Sequence, residues 1–348
     1  LMALHDVLQR LLLIGHSLPQ PPLPLRAEAP ARLAGLMAAV RPAQQALNAE
    51  ATALGHRYRS AFWGLYLLSA LAVLLAVLPV ALGWAAAEHP LHAYALVWGL
   101  LEVGVIASVA LLYRRGMRED WQGRWLAARA EAELAWYLPL AAALRGAEAQ
   151  DHRDDWYAGL FGSAGKGTAP GSTLQRLCLA QSGGLAQALA GAWQSEEFLR
   201  GFGHWACALL SGQVHYHRRT AARYRALLHR GHRLSAGLFV LTALAALLHL
   251  FWHAPWLLIA TTSFPAFGAA LHGALVQAEA HRLADASQQM AQALSALQAR
   301  VEHTLQAPSL SGEPARELYE TAYEALARIL EEHQGWHMVV RPHHLPLA

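Results

Sequence analysis

Glu102 is the residue whose position in this sequence most demands a chemical explanation. It is the only charge in Tyr94–Tyr113, an apolar run of twenty residues. A carboxylate in the middle of a membrane span costs about 2.5 kcal/mol or more, so it turns toward a helix interface or a water-filled path. Two readings stay open. A ring of Glu102 side chains in an oligomer would favour cations in a pore. Alternatively, Glu102 is protonated, or bonded to His249, His272 or a Ser/Thr on a neighbouring span. Pro265 stands in the middle of a second apolar run, where it removes a backbone hydrogen bond and kinks the helix. Ala266, Gly268, Ala270, Gly273 and Ala274 surround it with small residues suited to close helix packing. Packing is therefore favoured there over gating. Trp121 and Trp125 are four residues apart and share a helix face. With Arg129, Glu131 and Glu133 they form a polar helix expected to dock at the membrane base, against the bilayer or the helix entering the third apolar run.

Other patterns exclude chemistry. Gly162–Thr168 contains Gly-Lys-Gly-Thr, but Thr does not directly follow Lys166 and Leu160 occupies the position where a phosphate loop needs Gly. The pairs His215/His217, His229/His232 and His343/His344 lack Cys or carboxylates at zinc spacing. Cys178 and Cys207 are far apart and fit buried thiols better than a disulfide. No nucleophile–base or paired-carboxylate arrangement stands out. The sequence predicts a non-enzyme with no metal and no cofactor. The net charge is only +3 over 348 residues, and no nucleic-acid partner is expected.

The elements that must position these residues are legible from hydropathy. Four apolar runs, Ala61–Trp84, Tyr94–Tyr113, Leu234–Trp252 and Trp256–Gln277, are each long enough to cross about 30 Å of hydrocarbon at about 1.5 Å per residue. They pair into two hairpins with short turns. Arg57 and Arg59, then Arg114, Arg115 and Arg118, flank the first hairpin. Arg218 to Arg233 precede the second and Arg282 follows it, whereas neither turn has a Lys or Arg. The positive-inside rule places both termini and the central region in the cytoplasm. Trp63, Trp84, Trp252 and Trp256 fall at span ends, as interfacial anchors do.

Five segments follow: an amphipathic helix and Pro-rich linker (1–29); the first hairpin with flanking helices (30–145); a cytoplasmic loop and helices (146–228); the second hairpin with its exit helix (229–306); and a terminal helix and extended tail (307–348). Pro139 is expected to interrupt the helix Trp121–Leu144, and Glu196–Leu228 to form a helix separate from the third span. Leu68-Ser-Ala-Leu-Ala-Val-Leu-Leu echoes Leu241-Thr-Ala-Leu-Ala-Ala-Leu-Leu, a sign of internal duplication.

At the first hairpin the chain resembles a known family. Ala53–Arg59 entering a Leu/Ala hairpin, Arg114-Arg115 at its exit, and Trp121-Gln-Gly-Arg124-Trp125-Leu-Ala-Ala-Arg129-Ala-Glu131 are similar to SLATT domains, bacterial two-span modules found beside nucleotide-second-messenger synthases and SLOG nucleotide-sensing domains. The likeness covers residues 50–145, and the second hairpin makes this a four-span variant. The resemblance implies a pore-forming effector of antiphage defence in the bacterial inner membrane, opened by a nucleotide-type signal. The Leu1 start and the Pro-rich linker would suit a sensor domain joined upstream. The expectation is an all-α membrane protein: two transmembrane hairpins on a cytoplasmic helical bundle, homo-oligomeric in the lipid bilayer. It would act as a gated pore or as a non-conducting scaffold that recruits a cytoplasmic partner.

Overall fold

The computed structural model describes residues 3–15, 18, 20–84, 86–148, 189 and 191–339. Among the described residues eight α-helices carry the fold and there is no strand. They are α1 (Leu4–Leu12), α2 (Ala34–Ala81), α3 (Ala95–Arg118), α4 (Trp121–Glu148), α5 (Glu196–Phe251), α6 (Pro255–Gln277), α7 (Ala280–Thr304) and α8 (Glu313–Val339). Among the described residues four helical stretches are long and apolar enough to cross a membrane; they hold the second and fourth apolar runs whole, the first as far as Ala81 and the third as far as Phe251.

The first and third spans do not begin as separate helices. α2 has 48 residues and α5 has 56, so at about 1.5 Å per residue each is roughly 70–85 Å long, well over twice the hydrocarbon thickness. The expected break between Glu196–Leu228 and the third span is absent: the basic residues 229–233 hold no proline, and the helix runs through them. Nor does Pro139 interrupt α4. Proline inside a helix costs about 3 kcal/mol, but burial of Tyr137, Leu138 and Leu140 around it holds the segment in place. The expected extended tail starts too early, since α8 continues to Val339. The Gly162–Thr168 loop, Cys178 and the His343/His344 pair lie outside the described residues.

The two halves repeat one plan. A long helix descends (α2, α5), a shorter one returns (α3, α6), and a polar helix packs back on the first (α4 on α2, α7 on α5). Asp120 and Glu279, the residues before α4 and α7, are the only non-glycines with positive φ among the described residues, at 42° and 48°. Each turn carries a Trp pair, Trp84–Trp98 with centroids 5.2 Å apart and Trp252–Trp256 at 5.7 Å. These shared features agree with the duplication read from the sequence.

The halves join through α2 and α6, which gives the spans the order α3–α2–α6–α5 in one row. Close approach along it depends on missing Cβ atoms. A Cβ on Gly273 of α6 would lie 2.5 Å from the Tyr66 ring of α2, and one on Gly231 of α5 would overlap Leu275 of α6. The row ends in two lightly covered helices. α3 exposes Leu96, Leu100, Val103, Ile106 and Leu111, and α5 exposes Phe239, Leu241, Leu244 and Leu247.

One core lies among α2, α4, α5, α7 and α8, away from the apolar spans; a second lies at their base, around Tyr58, Phe62, Trp63, Trp121 and Leu275. The linker after α1 is laid along α5: the Pro22 carbonyl accepts from His215 at 2.9 Å, and the Leu25 N–H donates to Ser211 Oγ at 2.9 Å.

Candidate functional site

The base of the spans, where α1, α2, α4, α5 and the α6–α7 junction converge, gathers most of the polar chemistry. α4 presents Trp121, Trp125, Arg129 and Glu133 at four-residue spacing, one helix face. That face packs mainly on α2, the helix entering the first span, and its Trp125 and Arg129 also line a cleft with Tyr216 and Tyr224 of α5, the helix entering the third. The Arg57 guanidinium lies 4.4 Å from the centroid of the Trp121 ring. Tyr58 stacks on Trp125 at 5.6 Å, and Arg59 lies 5.9 Å from the Trp125 centroid. Three consecutive residues of α2 thus grip two tryptophans of α4, with cation–π attraction added to area burial. Gly55 makes room for it: a Cβ there would stand 2.7 Å from the Trp125 indole nitrogen. Farther along, Arg129 pairs with Glu133.

Glu119, just before the αL residue Asp120, ties this contact together. Its carboxylate accepts from Trp121 Nε1 at 2.8 Å, from Arg115 Nε at 2.8 Å and from Arg57 at 2.7 Å. The Trp121 and Arg115 hydrogen bonds, with the charges of Arg115 and Arg57, hold its carboxyl down to about 2. The latch is present above the ordinary carboxylate range and is lost as pH falls toward 2. Sequence reading found the tryptophans but missed Glu119, whose available signal was its place four residues after Arg115.

Behind the Trp face lie two adjoining clefts of about 230 and 250 Å³ that share Arg129 and Tyr216. The first holds the His217 Nε2–Glu332 Oε2 pair at 3.5 Å, and the second is lined by Arg59, Tyr224 and Glu279. Burial raises the Tyr224 phenol above its usual range. Six of the eight described helices contribute to the second cleft or its rim, so a ligand there would touch many elements at once.

α1 bridges α2 and α5. Its buried His5 binds Ser60 Oγ through Nδ1 at 3.2 Å and faces Asp6 through Nε2 at 3.3 Å. His56 Nδ1 lies 3.5 Å from Asp6, and Arg223 reaches Asp6 at 3.7 Å and Gln9 at 2.6 Å. His5, Asp6 and His56 present donor atoms within 4.8 Å of one another, the composition of a metal site. Arg223 already supplies Asp6 with a cation, and the group reads equally as a polar clamp. Burial first, then the Arg59 charge, lowers His5 to about 4. Trp63, expected as an interfacial anchor, is instead buried in the core beneath Leu8 of α1.

The intramembrane candidates are not brought together. Glu102 is half-buried on the side of α3 that carries Trp98, Val105 and Val109 toward α2, and it has no hydrogen bond or ion pair among the described residues. His249 lies at the outer end of α5, 5.5 Å ring to ring from His253. His272 is near the opposite end of α6, 5.9 Å from His232. Neither histidine pairs with Glu102. Pro265 sits within an α6 that remains one helix. Three residues on, Gly268 packs against α5, and its carbonyl accepts from Ser235 Oγ at 3.2 Å.

No family, no curated protein and no solved structure matches the chain.

Proposed function

We propose that the chain is a membrane effector that assembles from several copies into a gated pore, opened from the cytoplasmic side. The observation that carries this reading is Glu102. A carboxylate half-buried in mid-span with no partner among the described residues is costly within one chain. Water in a central path, or a neighbouring copy, supplies what the single chain does not. The two open edges of the span row support assembly, and the clefts around Arg129 give a cytoplasmic signal a place to act. The likeness of residues 50–145 to SLATT domains supplies the setting: the bacterial inner membrane, antiphage defence and a nucleotide-type trigger sensed by a domain joined to this one.

A second reading, a non-conducting anchor that recruits a cytoplasmic partner, is favoured by the side on which Glu102 lies. It faces α2 rather than the open face of α3, as a residue covered within its own hairpin would.

Ion flux through liposomes separates the two, with the wild type beside Glu102→Gln and with and without candidate nucleotides. Cation-selective flux that the substitution lowers is the expected result. Flux indifferent to it would keep the pore and dismiss the carboxylate ring. No flux from folded, inserted protein under any ligand would leave the scaffold.

A further inference from the structure

A groove of about 730 Å³ opens between α1, α2, α5 and α6. Its walls are apolar, with Trp63 and Tyr66 from α2, Leu238 from α5, Phe267 and Leu271 from α6, and Leu12 from α1. Two cations stand at its rim, Arg230 and Arg233, one turn apart on α5 immediately before the third span. Their duties differ. Arg230 donates to the carbonyls of Leu12 at 3.3 Å and Ile14 at 2.7 Å, clamping the end of α1 over the groove. Arg233 is exposed and has no hydrogen bond or ion pair among the described residues.

We propose that this groove binds one anionic glycerophospholipid of the cytoplasmic leaflet, with its phosphate at Arg233 and an acyl chain along Tyr66, Phe267 and Leu271. The inference rests on the membrane reading above. The volume lies in the roughly 300–1,000 Å³ range of small-molecule sites. A free phosphate would find no use for so much apolar wall, whereas an acyl chain needs it and gains from burial there. A guanidinium presents its donors in a planar fork that matches phosphate oxygens. Basic pockets between spans on the cytoplasmic side recognise anionic head groups for this reason. The lipid would touch α1 and so connect membrane composition to the position of that helix.

The test uses the full chain in non-ionic detergent, with equal amounts of phosphatidylglycerol and phosphatidylcholine added and bound lipid counted by native mass spectrometry. The wild type is expected to retain the anionic lipid preferentially. Arg233→Gln should cut that preference about fivefold, the worth of one basic residue near an anionic surface. Arg233→Lys should keep most of it. Arg114→Gln, an exposed cation at the first hairpin exit, should leave it intact. Ala270→Phe, which fills the groove from a small residue, should expel both lipids from protein that keeps its helical circular dichroism. Equal retention of the two lipids by the wild type would overturn the site, as would an Arg233→Gln result no different from Arg114→Gln. Flotation of the same protein with vesicles separates the failures. Protein that floats but shows no anionic preference loses only the lipid site, and protein that does not float loses the membrane reading as well.

Discussion

At the scale of residues, the polar groups at the base of the spans act as fasteners between helices remote in sequence. His5 shows it most sharply. Docking α1 against Ser60 and His56 of α2 places the His5 ring between its own neighbour Asp6 and the cations Arg59 and Arg223, and burial keeps it neutral. An undocked His5 titrates near 6.5, whereas the docked one is held at about 4. The undocked state therefore binds more protons as pH falls below 6.5, and docking weakens by up to tenfold per pH unit until about pH 4. Hydrogen exchange of residues 4–12 should accelerate across that window in the wild type. His5→Phe should remove the pH dependence, and an unchanged profile in the variant would discard His5 as its source. The residue types of the site were legible in the sequence. Trp121, Trp125 and Arg129 announce a helix face by their spacing, but spacing within one helix says nothing of the helix opposite. Their partners Arg57, Tyr58 and Arg59 lie more than sixty residues upstream, and only the fold brings them together.

At the scale of elements, hydropathy located the four helical stretches that, among the described residues, are long and apolar enough to cross a bilayer, because length and apolar composition are all that such a stretch needs. It could not show that α5 continues far beyond the apolar run, since a basic stretch such as 229–233 looks like an interruption when read as composition. Continuity has a mechanical consequence: a rigid helix carries a displacement at its polar end into its apolar stretch without a joint. The grip of α4 on α2 then becomes a coupling point, and Gly55 is its narrowest place. Gly55→Ala sets a Cβ against a Trp125 ring already stacked on Tyr58, so the ring cannot swing aside cheaply. Overpacking of this kind costs about 1–3 kcal/mol. Thermal unfolding in detergent should register that loss, whereas Gly99→Ala, where nothing lies within 4 Å, should be neutral or slightly stabilising. Equal effects at the two positions would mean that the Trp125 contact contributes nothing.

At the scale of the whole molecule, the row α3–α2–α6–α5 is an incomplete object. Each inner span has two neighbours, and each outer span has one. The covered stripe along the apolar run of α5, Ser235, Leu238, Thr242, Ala245 and His249, recurs every three to four residues and faces α6. The rest of that helix, like most of α3, is apolar and open. The duplicated plan suggests what covers them. If α2 and α6 meet within a chain because each half offers a complementary edge, α3 of one copy can meet α5 of the next. Such a head-to-tail contact closes into a ring when the rotation per copy permits, whereas an α3–α3 contact stops at a dimer. Ile106 and Leu241 are both exposed and lie at matching depth, seven residues from the inner ends of their spans as read from the sequence. In a chain carrying Cys178→Ser and Cys207→Ala, Ile106→Cys together with Leu241→Cys should cross-link into a ladder of several copies in membranes. Either cysteine alone should give none. A dimer from Ile106→Cys alone would replace the ring with a two-fold pair and remove the central path that the pore requires.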